Sequence, residues 1–415
     1  MASNNLVQVQ TYNDSNLGLL LNRYVFMNIG NYKFENFETI EKNLGSTVLM
    51  DLPPRFTSTG SLVISVQAAN QRQAALSVIG QASVAYEFSA QEFIFNVRDY
   101  MQKYGRSAMS ELGNKIEIDI AGVCETAPYR FFGDGVTPLT NFQQLALAVA
   151  FFEDYGAAVD NKKCVLDNIS PNRIVNSGLN QFTPMRNDRM AFTWEIGEFS
   201  ETQWYKSNLL PIHTAGTEGN KDSTLTVVST TLDSNGAVIG ITFSGTYAAN
   251  DPNSVLQYDN FVFNDGVSGV SNIRFLTFIG HAPSQSPVQF QAVASAASNG
   301  SNQVTVSITP PLQAPGGATQ NITTPIVAGM QCSVLPTHRC AIMMSGDPLF
   351  IAMPRLPDED PYTTARSTDP ETGVSLRTYY GSLFGQNQRA MVHDCIWGKL
   401  LIPEYCMKMV IPYNG

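Results

Sequence analysis

The sequence is poor in charged residues. Lys, Arg, Asp and Glu make up 14% of the 415 residues, against roughly 25% in an average soluble protein. A monomeric protein needs a charged surface for its solubility, whereas a chain that covers its surface with copies of itself needs less. The low charge, together with many Asn, Gln, Ser and Thr residues, therefore favours a subunit of an assembly.

Basic residues are also few. The chain has 25 Lys and Arg residues against 35 Asp and Glu residues, which gives a net charge of −10. Proteins whose main task is to bind nucleic acid present a basic face. The charge balance disfavours that class, but it suits a shell protein and an ordinary soluble enzyme equally well.

Long hydrophobic runs and cysteine motifs are missing. No apolar run reaches the roughly 18 residues of a membrane span, and the N-terminus has no basic region followed by an apolar core, so we predict no membrane association and no signal peptide. The six cysteines show no Cys-x-x-Cys spacing and are predicted to be reduced and buried. They are Cys124, Cys164, Cys332, Cys340, Cys395 and Cys406.

Catalytic signatures are absent as well. The sequence has no Walker-type glycine-rich loop and no Gly-x-Ser-x-Gly elbow. His393-Asp394 with Cys395 and Cys406 could form a metal or nucleophile site, but a buried strand end is favoured, and His338 with Cys340 is favoured as a packed core pair. The acidic loop at 358–360 could bind a divalent cation, or be a solvated loop or an intersubunit salt-bridge patch. We predict no enzyme, no catalytic residue, no cofactor and no metal site.

The first third of the chain changes pattern twice. Residues 1–45 have spaced apolar side chains without a clean period, which predicts an extended or partly helical arm. Residues 46–86 contain strand-like runs around a polar tip at Asn70–Gln73, which predicts a long hairpin. A helical segment is predicted from about Ser89 to Thr126. Its apolar stripe consists of Met109, Leu112, Ile116, Ile120 and Val123.

The rest of the chain predicts a mixed region interrupted by a β module. Thr140 is expected to cap a helix, Cys164–Leu166 to be a buried strand, and Ser170 to begin another helix. From about Ser223 to Leu335, alternating Thr- and Val-rich segments are separated by turns such as Ser234-Asn235-Gly236. Because mixed structure resumes afterwards, this β module is predicted to be an insertion.

This order of parts resembles the HK97-type capsid fold of tailed bacteriophages, in its inserted-domain branch typical of short-tailed podoviruses. Three local segments are similar to that family. They are Val165-Leu166-Asp167 with Ser170-Pro171, the segment Gly197 to Thr217 before the insertion, which includes Trp204 to Thr214, and Gln257 to Phe263. The last resembles a strand of the inserted barrel, although Tyr258-Asp259 replaces the usual Gly-Asp.

The resemblance implies an α+β capsid fold and a division of the chain into named parts. These are an N-terminal arm (1–45), an E-loop hairpin (46–86), the spine helix and P-domain (87–128), the A-domain in two pieces (129–220 and 336–375), an inserted all-β barrel or I-domain (221–335) and closing P-domain strands (376–415).

It also implies a function and partners. A major capsid protein of this kind assembles with itself into hexamers and pentamers of an icosahedral shell around double-stranded DNA, with a scaffolding protein and a portal, and touches the packaged DNA only weakly and non-specifically. It is made in the host cytoplasm and ends in the virion. The expected intersubunit contacts are Leu19, Leu20, Phe34 and Phe37 of the arm and Val63, Ile64, Leu76 and Val78 of the hairpin.

Three alternatives stay open. One is another phage structural protein, from a tail or a decoration layer, although a long helix after a hairpin is unusual in β-rich tail proteins. Another is a hydrolytic enzyme with an inserted β module, which would need paired carboxylates or a nucleophile in a pocket. An encapsulin-like compartment is the third.

Overall fold

The computed structural model describes residues 13, 17, 24–32, 47–52, 72–89, 105–156, 160–175, 195–219, 224–246, 248–264, 273–278, 280–315, 320–359, 362–368, 374–382 and 388–413. The chain divides into two compact units. Unit 1 contains residues 1–52, 73–123 and 347–401, and unit 2 contains residues 53–72, 124–346 and 402–415.

The described residues form short helices and many strands. The helices are α1 (Val25–Ile29), α2 (Arg106–Ala121), α3 (Val123–Thr126), α4 (Phe142–Asp154) and α5 (Ser170–Val175), and Pro403–Tyr405 is a 3-10 turn. The strands are β1 (Thr47–Leu52), β2 (Arg72–Ser89), β3 (Phe131–Phe132), β4 (Lys162–Leu166), β5 (Glu195–Phe199), β6 (Thr202–Lys206), β7 (Ile212–His213), β8 (Thr224–Leu232), β9 (Val238–Ser244), β10 (Asn260–Phe263), β11 (Arg274–Leu276), β12 (Pro283–Pro287), β13 (Gln289–Ala292), β14 (Gln303–Leu312), β15 (Gln331–Val334), β16 (His338–Met344), β17 (Leu349–Ala352), β18 (Thr363–Thr368), β19 (Ser375–Ser382), β20 (Gln388–Leu401) and β21 (Cys406–Pro412).

Unit 1 is built on one sheet and one long helix. The sheet has the order β1-β2-β20-β19-β18, and β17 also pairs with β20. Strand β2 pairs with β20 from Ser77 to Ser89, with a bulge between Val78 and Gly80. The Trp397 ring lies over Gly80, where a Cβ would be 2.4 Å from the indole, so only glycine fits there.

The predicted apolar stripe is confirmed, because all five of its residues are buried; Met109, Leu112, Ile116 and Ile120 lie on α2, and Val123 begins α3. Ser89 belongs to β2 and not to the predicted helical segment, α2 is described from Arg106, and residues 90–104 of the prediction lie outside the described residues. Pairing with β20 gives the backbone of β2 interstrand hydrogen bonds, which a helix over the same residues would exclude.

Unit 2 contains a mixed sheet with the order β3-β21-β16-β4-β6-β5, and β7 also pairs with β16. The predicted strand at Cys164–Leu166 and the helix beginning at Ser170 are both present. Helix α4 is capped by Asn141, not by Thr140 as predicted. The Asn141 side chain accepts the Gln144 backbone N–H, and the Gln144 side chain accepts the Asn141 backbone N–H.

A closed barrel is inserted into this sheet. Strands β10-β13-β14-β9-β8-β15 close on one another. The strands on either side of the barrel in the chain, β7 and β16, pair directly through His213 and His338. The chain therefore leaves the sheet and returns beside its point of departure, and the barrel strands lie within the predicted range 221–335.

The barrel interior is filled by aromatic rings. Phe243, Phe261 and Phe290 are fully buried, and their rings stack with interplanar angles of 4–7° and centroid distances of 5.0–6.2 Å. Stacked rings of this size contribute large buried areas. They form the centre of the barrel core.

Replacing the central ring should test this core. We expect Phe290→Ala to lower the free energy of unfolding by about 3–5 kcal/mol, because it removes a buried ring and leaves a cavity. Urea unfolding followed by circular dichroism measures the loss. The control Val293→Ala, at a site 46% exposed, should change stability little; equal losses for both variants would contradict this account of the core.

Candidate functional site

The joint between the barrel and the mixed sheet of unit 2 contains a cluster of buried polar side chains. Alternation along β13 places Phe290 inside the barrel and Gln289 and Gln291 on its outer face. The Gln289 amide accepts the Phe131 N–H at 2.9 Å and donates to the Phe131 carbonyl at 2.8 Å. Gln291 Nε2 donates to the Glu125 carbonyl at 2.8 Å. Two glutamines of one barrel strand thus bind the backbone that leads into β3.

His213 lies at the centre of the joint between two carboxylates. Its Nδ1 is 2.8 Å from Glu125 Oε1 and its Nε2 is 2.8 Å from Asp259 Oδ1. Burial disfavours the charged ring, but the hydrogen bonds to Asp259 and Glu125 outweigh it and raise the pKa of His213. A carboxylate at each nitrogen favours the protonated ring, because only that form can donate to both partners.

Asp259 also holds the turn that begins β10. Its carboxylate accepts the Leu256 N–H at 2.7 Å and the Gly216 N–H at 3.2 Å. A Cβ at Gly216 would lie 2.6 Å from the Ser254 carbonyl oxygen, so the close approach requires glycine. The carboxylate connects the end of the sheet segment to the barrel entry.

A second cation and a second imidazole complete the cluster. The fully buried Lys408 donates from Nζ to Asn260 Oδ1 at 2.6 Å. The His338 ring lies 5.3 Å from the His213 ring, and its Nδ1 donates to the Pro336 carbonyl at 2.7 Å. Burial, with the charge of Lys408 as a smaller cause, lowers the pKa of His338 to about 3. One ring of the pair is therefore charged and the other neutral.

The polar side chains of this cluster bind one another and thereby hold the strands and helices of unit 2 together. Both nitrogens of His213 are occupied by carboxylates, so the ring has no free base for a nucleophile. Burial raises the pKa of the nearby Cys340 thiol to about 11, which keeps the thiol protonated and unreactive. Within the described ranges, no group of three or more His, Cys, Asp or Glu side chains is placed to hold a metal ion.

A second polar chain crosses unit 1. Tyr86 donates to His393 Nε2 at 3.1 Å, His393 Nδ1 lies 2.7 Å from Thr378 Oγ1, and Thr378 donates to Asn13 Oδ1 at 2.6 Å. Since the Thr378 hydroxyl donates to Asn13, it accepts from His393. Burial lowers the pKa of His393 to about 4. The predicted buried, hydrogen-bonded imidazole of His393 is confirmed, but the residue lies within β20 and not at a strand end as predicted.

The other predicted polar residues are paired within their own units. Arg377 binds Asp394 through two nitrogens and Glu359 at 3.1 Å, and Arg366 binds Asp358 at 3.1 Å. Asp358 and Glu359 thus form ion pairs inside the chain, and Asp360 lies outside the described residues. His338 and Cys340 are fully buried, which confirms them as core residues.

The predicted contact residues fall into three groups. Leu19, Leu20, Phe34, Phe37, Val63 and Ile64 lie outside the described residues. Leu76 has no exposed surface and packs over Gly398, where a Cβ would be 2.7 Å from Leu76 Cδ2. The predicted intersubunit role of Leu76 stays a prediction, and within its own unit the side chain is fully buried. Val78 is half-buried.

The sequence analysis missed two exposed apolar residues of the hairpin strands. Ile79 is 81% exposed and Leu49 is 59% exposed. Strand alternation could have found Ile79, because it lies on the opposite face of β2 from Leu76 and Val78. The charged cluster around His213 was also missed, since its members are up to 283 positions apart in the sequence and no local pattern joins them.

Three comparisons with known proteins were made, and only the comparison with solved structures gives matches. No protein-family model matches the sequence, and no curated protein matches it. A structure of Mycobacterium phage Che8 is similar over 93% of this chain and 91% of that chain, with 9% identity and a TM-score of 0.45. The capsid structure of cyanophage P-SCSP1u covers 94% and 88%, with 10% identity and a TM-score of 0.39.

A virus-like particle from Pyrococcus furiosus is similar over 96% of this chain and 97% of that chain, with 6% identity and a TM-score of 0.41. Identities of this size leave the function to be argued from the residues of this chain. Among the helices of the described ranges, none is long and apolar enough to cross a membrane.

Removing the His213 ring nitrogens should weaken the joint. We expect His213→Phe to lower the free energy of unfolding by about 3 kcal/mol, because it leaves the buried Asp259 and the partly buried Glu125 without their shared donor. Urea unfolding gives the loss. His281→Phe, a half-buried histidine outside the cluster, is the matched control, and a loss no larger than the control's would contradict the role of His213.

The buried neutral histidines predict acid sensitivity. In the folded protein the pKa values of His338 and His393 are about 3 and about 4, whereas an unfolded chain binds these protons near pH ~6.5. Stability should therefore fall below about pH 6.5, by about 1.4 kcal/mol per pH unit for each histidine. His213 acts in the opposite sense, because its raised pKa gives stability that is lost as pH rises.

Urea midpoints measured from pH 7 down to pH 5 test this. The variant His338→Asn keeps a donor near the Pro336 carbonyl but cannot be protonated, so its stability should fall less steeply with acid than that of the wild type. Parallel curves for the two proteins would show that His338 is not the titrating group.

Proposed function

We propose that this chain is a major capsid protein, whose copies assemble into the icosahedral shell around the double-stranded DNA of a tailed phage. The fold proposed for it is the HK97 type with an inserted I-domain, as in short-tailed phages. Copies of the chain, a scaffolding protein and a portal are its proposed partners, and the virion is its proposed location. In this role the chain is not an enzyme.

The main support for this proposal is the outer surface of the barrel. Residues 224–334 contain five charged side chains, Asp233, Asp251, Asp259, Asp265 and Arg274. On the β8–β9 hairpin, Leu232 is 56% exposed, and Ile239 and Val228 are each 38% exposed. Apolar side chains gathered on an uncharged wall mark a surface that another protein covers.

The exposed apolar side chains of unit 1 support the same function. Leu49 and Ile79 lie on the paired strands β1 and β2, and Ile118 of α2 is 52% exposed. A subunit that is surrounded by neighbours needs contact surfaces on several of its parts. A monomeric enzyme would instead need a pocket with convergent reactive groups, and the reactive side chains described above are engaged in binding one another.

The order of elements agrees with the proposed fold. A hairpin strand, a long helix, a mixed sheet, an inserted barrel and closing strands follow one another along the chain. We assign β1 and β2 to the E-loop, α2 to the spine helix, the mixed sheet of unit 2 to the A-domain and the barrel to the I-domain.

The first test is assembly. The protein would be expressed alone and with its scaffolding protein, then examined by size-exclusion chromatography and negative-stain electron microscopy. We expect closed shells tens of nanometres across in at least one preparation, by the usual size of shells built from subunits of this length. A monodisperse monomer or dimer in both would overturn the proposal.

The hairpin contact can be tested with a matched pair of variants. Because Ile79 is 81% exposed, Ile79→Asp should leave the fold unchanged but place a charge in a contact that loses water on assembly. We expect few or no shells from Ile79→Asp and normal shells from Ile79→Val. If Ile79→Asp assembles normally, this part of β2 does not belong to the proposed contact surface.

A further inference from the structure

Glu117 is a buried carboxylate that the proposed function does not use. It lies on α2 with 1% of its surface exposed. Its Oε1 accepts the Phe26 N–H at 2.7 Å and its Oε2 accepts the Met27 N–H at 3.2 Å. Helix α1 has no side-chain cap of its own at Tyr24. The cap of α1 is therefore supplied from another helix, 91 positions away in the sequence.

The segment 24–29 is seated along one face of α2. The Tyr24 ring lies against Gly113, where a Cβ would be 2.2 Å from Cε2. The Tyr24 hydroxyl donates to the Ser110 carbonyl at 2.8 Å. Phe26 and Met27 have no exposed surface. Ser110, Gly113 and Glu117 are spaced by three and four residues, so they lie on the same face and form one docking surface.

The neighbours of Glu117 do not neutralise its charge. Helix α1 has no titratable side chain, and Glu117 makes no ion pair with any residue in the described part of the chain. The titratable groups beside Glu117 are Tyr24, whose hydroxyl donates to the Ser110 carbonyl, and Tyr32, which donates to the Met27 carbonyl at 2.9 Å. Burial and the charge of Glu117 both raise the pKa of Tyr32. On α2 itself, Asp119 is already bound by Lys399 and Trp397.

We propose that Glu117 is a proton-controlled clasp, which holds residues 24–29 on α2 most firmly when it is protonated and loosens them as pH rises from acid toward neutrality. Burial raises the pKa of Glu117 to about 7, although the N–H groups of Phe26, Met27 and Val25 act to lower it. When the segment leaves, water reaches the carboxylate and its pKa returns toward about 4.3.

The sign of the effect follows from these two pKa values. Between about pH 4.3 and 7 the docked state holds a proton that the released state has lost. Each rise in pH across this window therefore favours release, and above pH 7 the effect is complete. The full change in the docking equilibrium is about 500-fold, from the difference of about 2.7 between the two pKa values.

Hydrogen exchange of the full chain tests the clasp. Mass spectrometry would follow the amides of residues 25–31 from pH 5 to pH 8.5, corrected for the intrinsic pH dependence of exchange. We expect their protection to fall by one to two orders of magnitude across this range, by the same pKa difference. Amides of the barrel core near Phe261 and Phe290 serve as the internal reference for global opening.

Two variants test whether Glu117 itself causes the pH dependence. Glu117→Gln keeps a carbonyl oxygen for the N–H groups but cannot ionise, so its protection should not change with pH. Glu111→Gln, at an exposed position of the same helix, should retain the wild-type profile. A flat profile in the wild type overturns the proposal even if Glu117→Gln does not fold, and a Glu117→Gln profile equal to that of the wild type also overturns it.

Discussion

The joint between barrel and sheet depends on one constraint, which is that a polar group taken out of water must find a partner. Glu125, His213 and Asp259 satisfy it as a row of alternating charges, with two hydrogen bonds of 2.8 Å to one ring. Lys408 and Asn260 form a second pair beside them. Because the partners come from α3, β7, β10 and β21, the cluster can form only when these elements are assembled. It therefore specifies how the barrel is attached in addition to stabilising it.

The same constraint organises unit 1, with neutral groups in place of charges. Asn13, Thr378, His393 and Tyr86 bind one another in a row across β19, β20 and β2. The hydroxyl of Tyr86 also donates to Met391 Sδ at 3.1 Å, so the row extends along β20. Glu117 provides the corresponding connection between α1 and α2. Both units thus join segments that are distant in sequence through a few buried polar contacts, while the apolar stripes supply most of the buried area.

The pattern of burial separates the faces that folding covers from the exposed faces proposed for assembly. Leu76 and Ile79 are three positions apart on β2, yet one is fully buried and the other is 81% exposed. The alternation of a strand places them on opposite faces, and the face against Gly398 is the one that folding covers. The barrel divides in the same way, with Phe243, Phe261 and Phe290 inside and Leu232 and Ile239 outside. The proposed shell would be built from these outer faces.

The sequence alone determined the local elements with a strong period or composition. These are the apolar stripe from Met109 on α2 to Val123 on α3, the strand at Cys164–Leu166 and the inserted β module after Ser223. These depend on neighbours within a few residues, so the pattern is visible in the chain itself. The end of β2 at Ser89, the cap at Asn141 and the exposure of Ile79 were set by strand pairing and side-chain geometry. The cluster around His213 and the clasp at Glu117 were decided only by the tertiary structure. Their groups are remote in sequence, and each gains its role from burial and from partners that folding brings within hydrogen-bond distance.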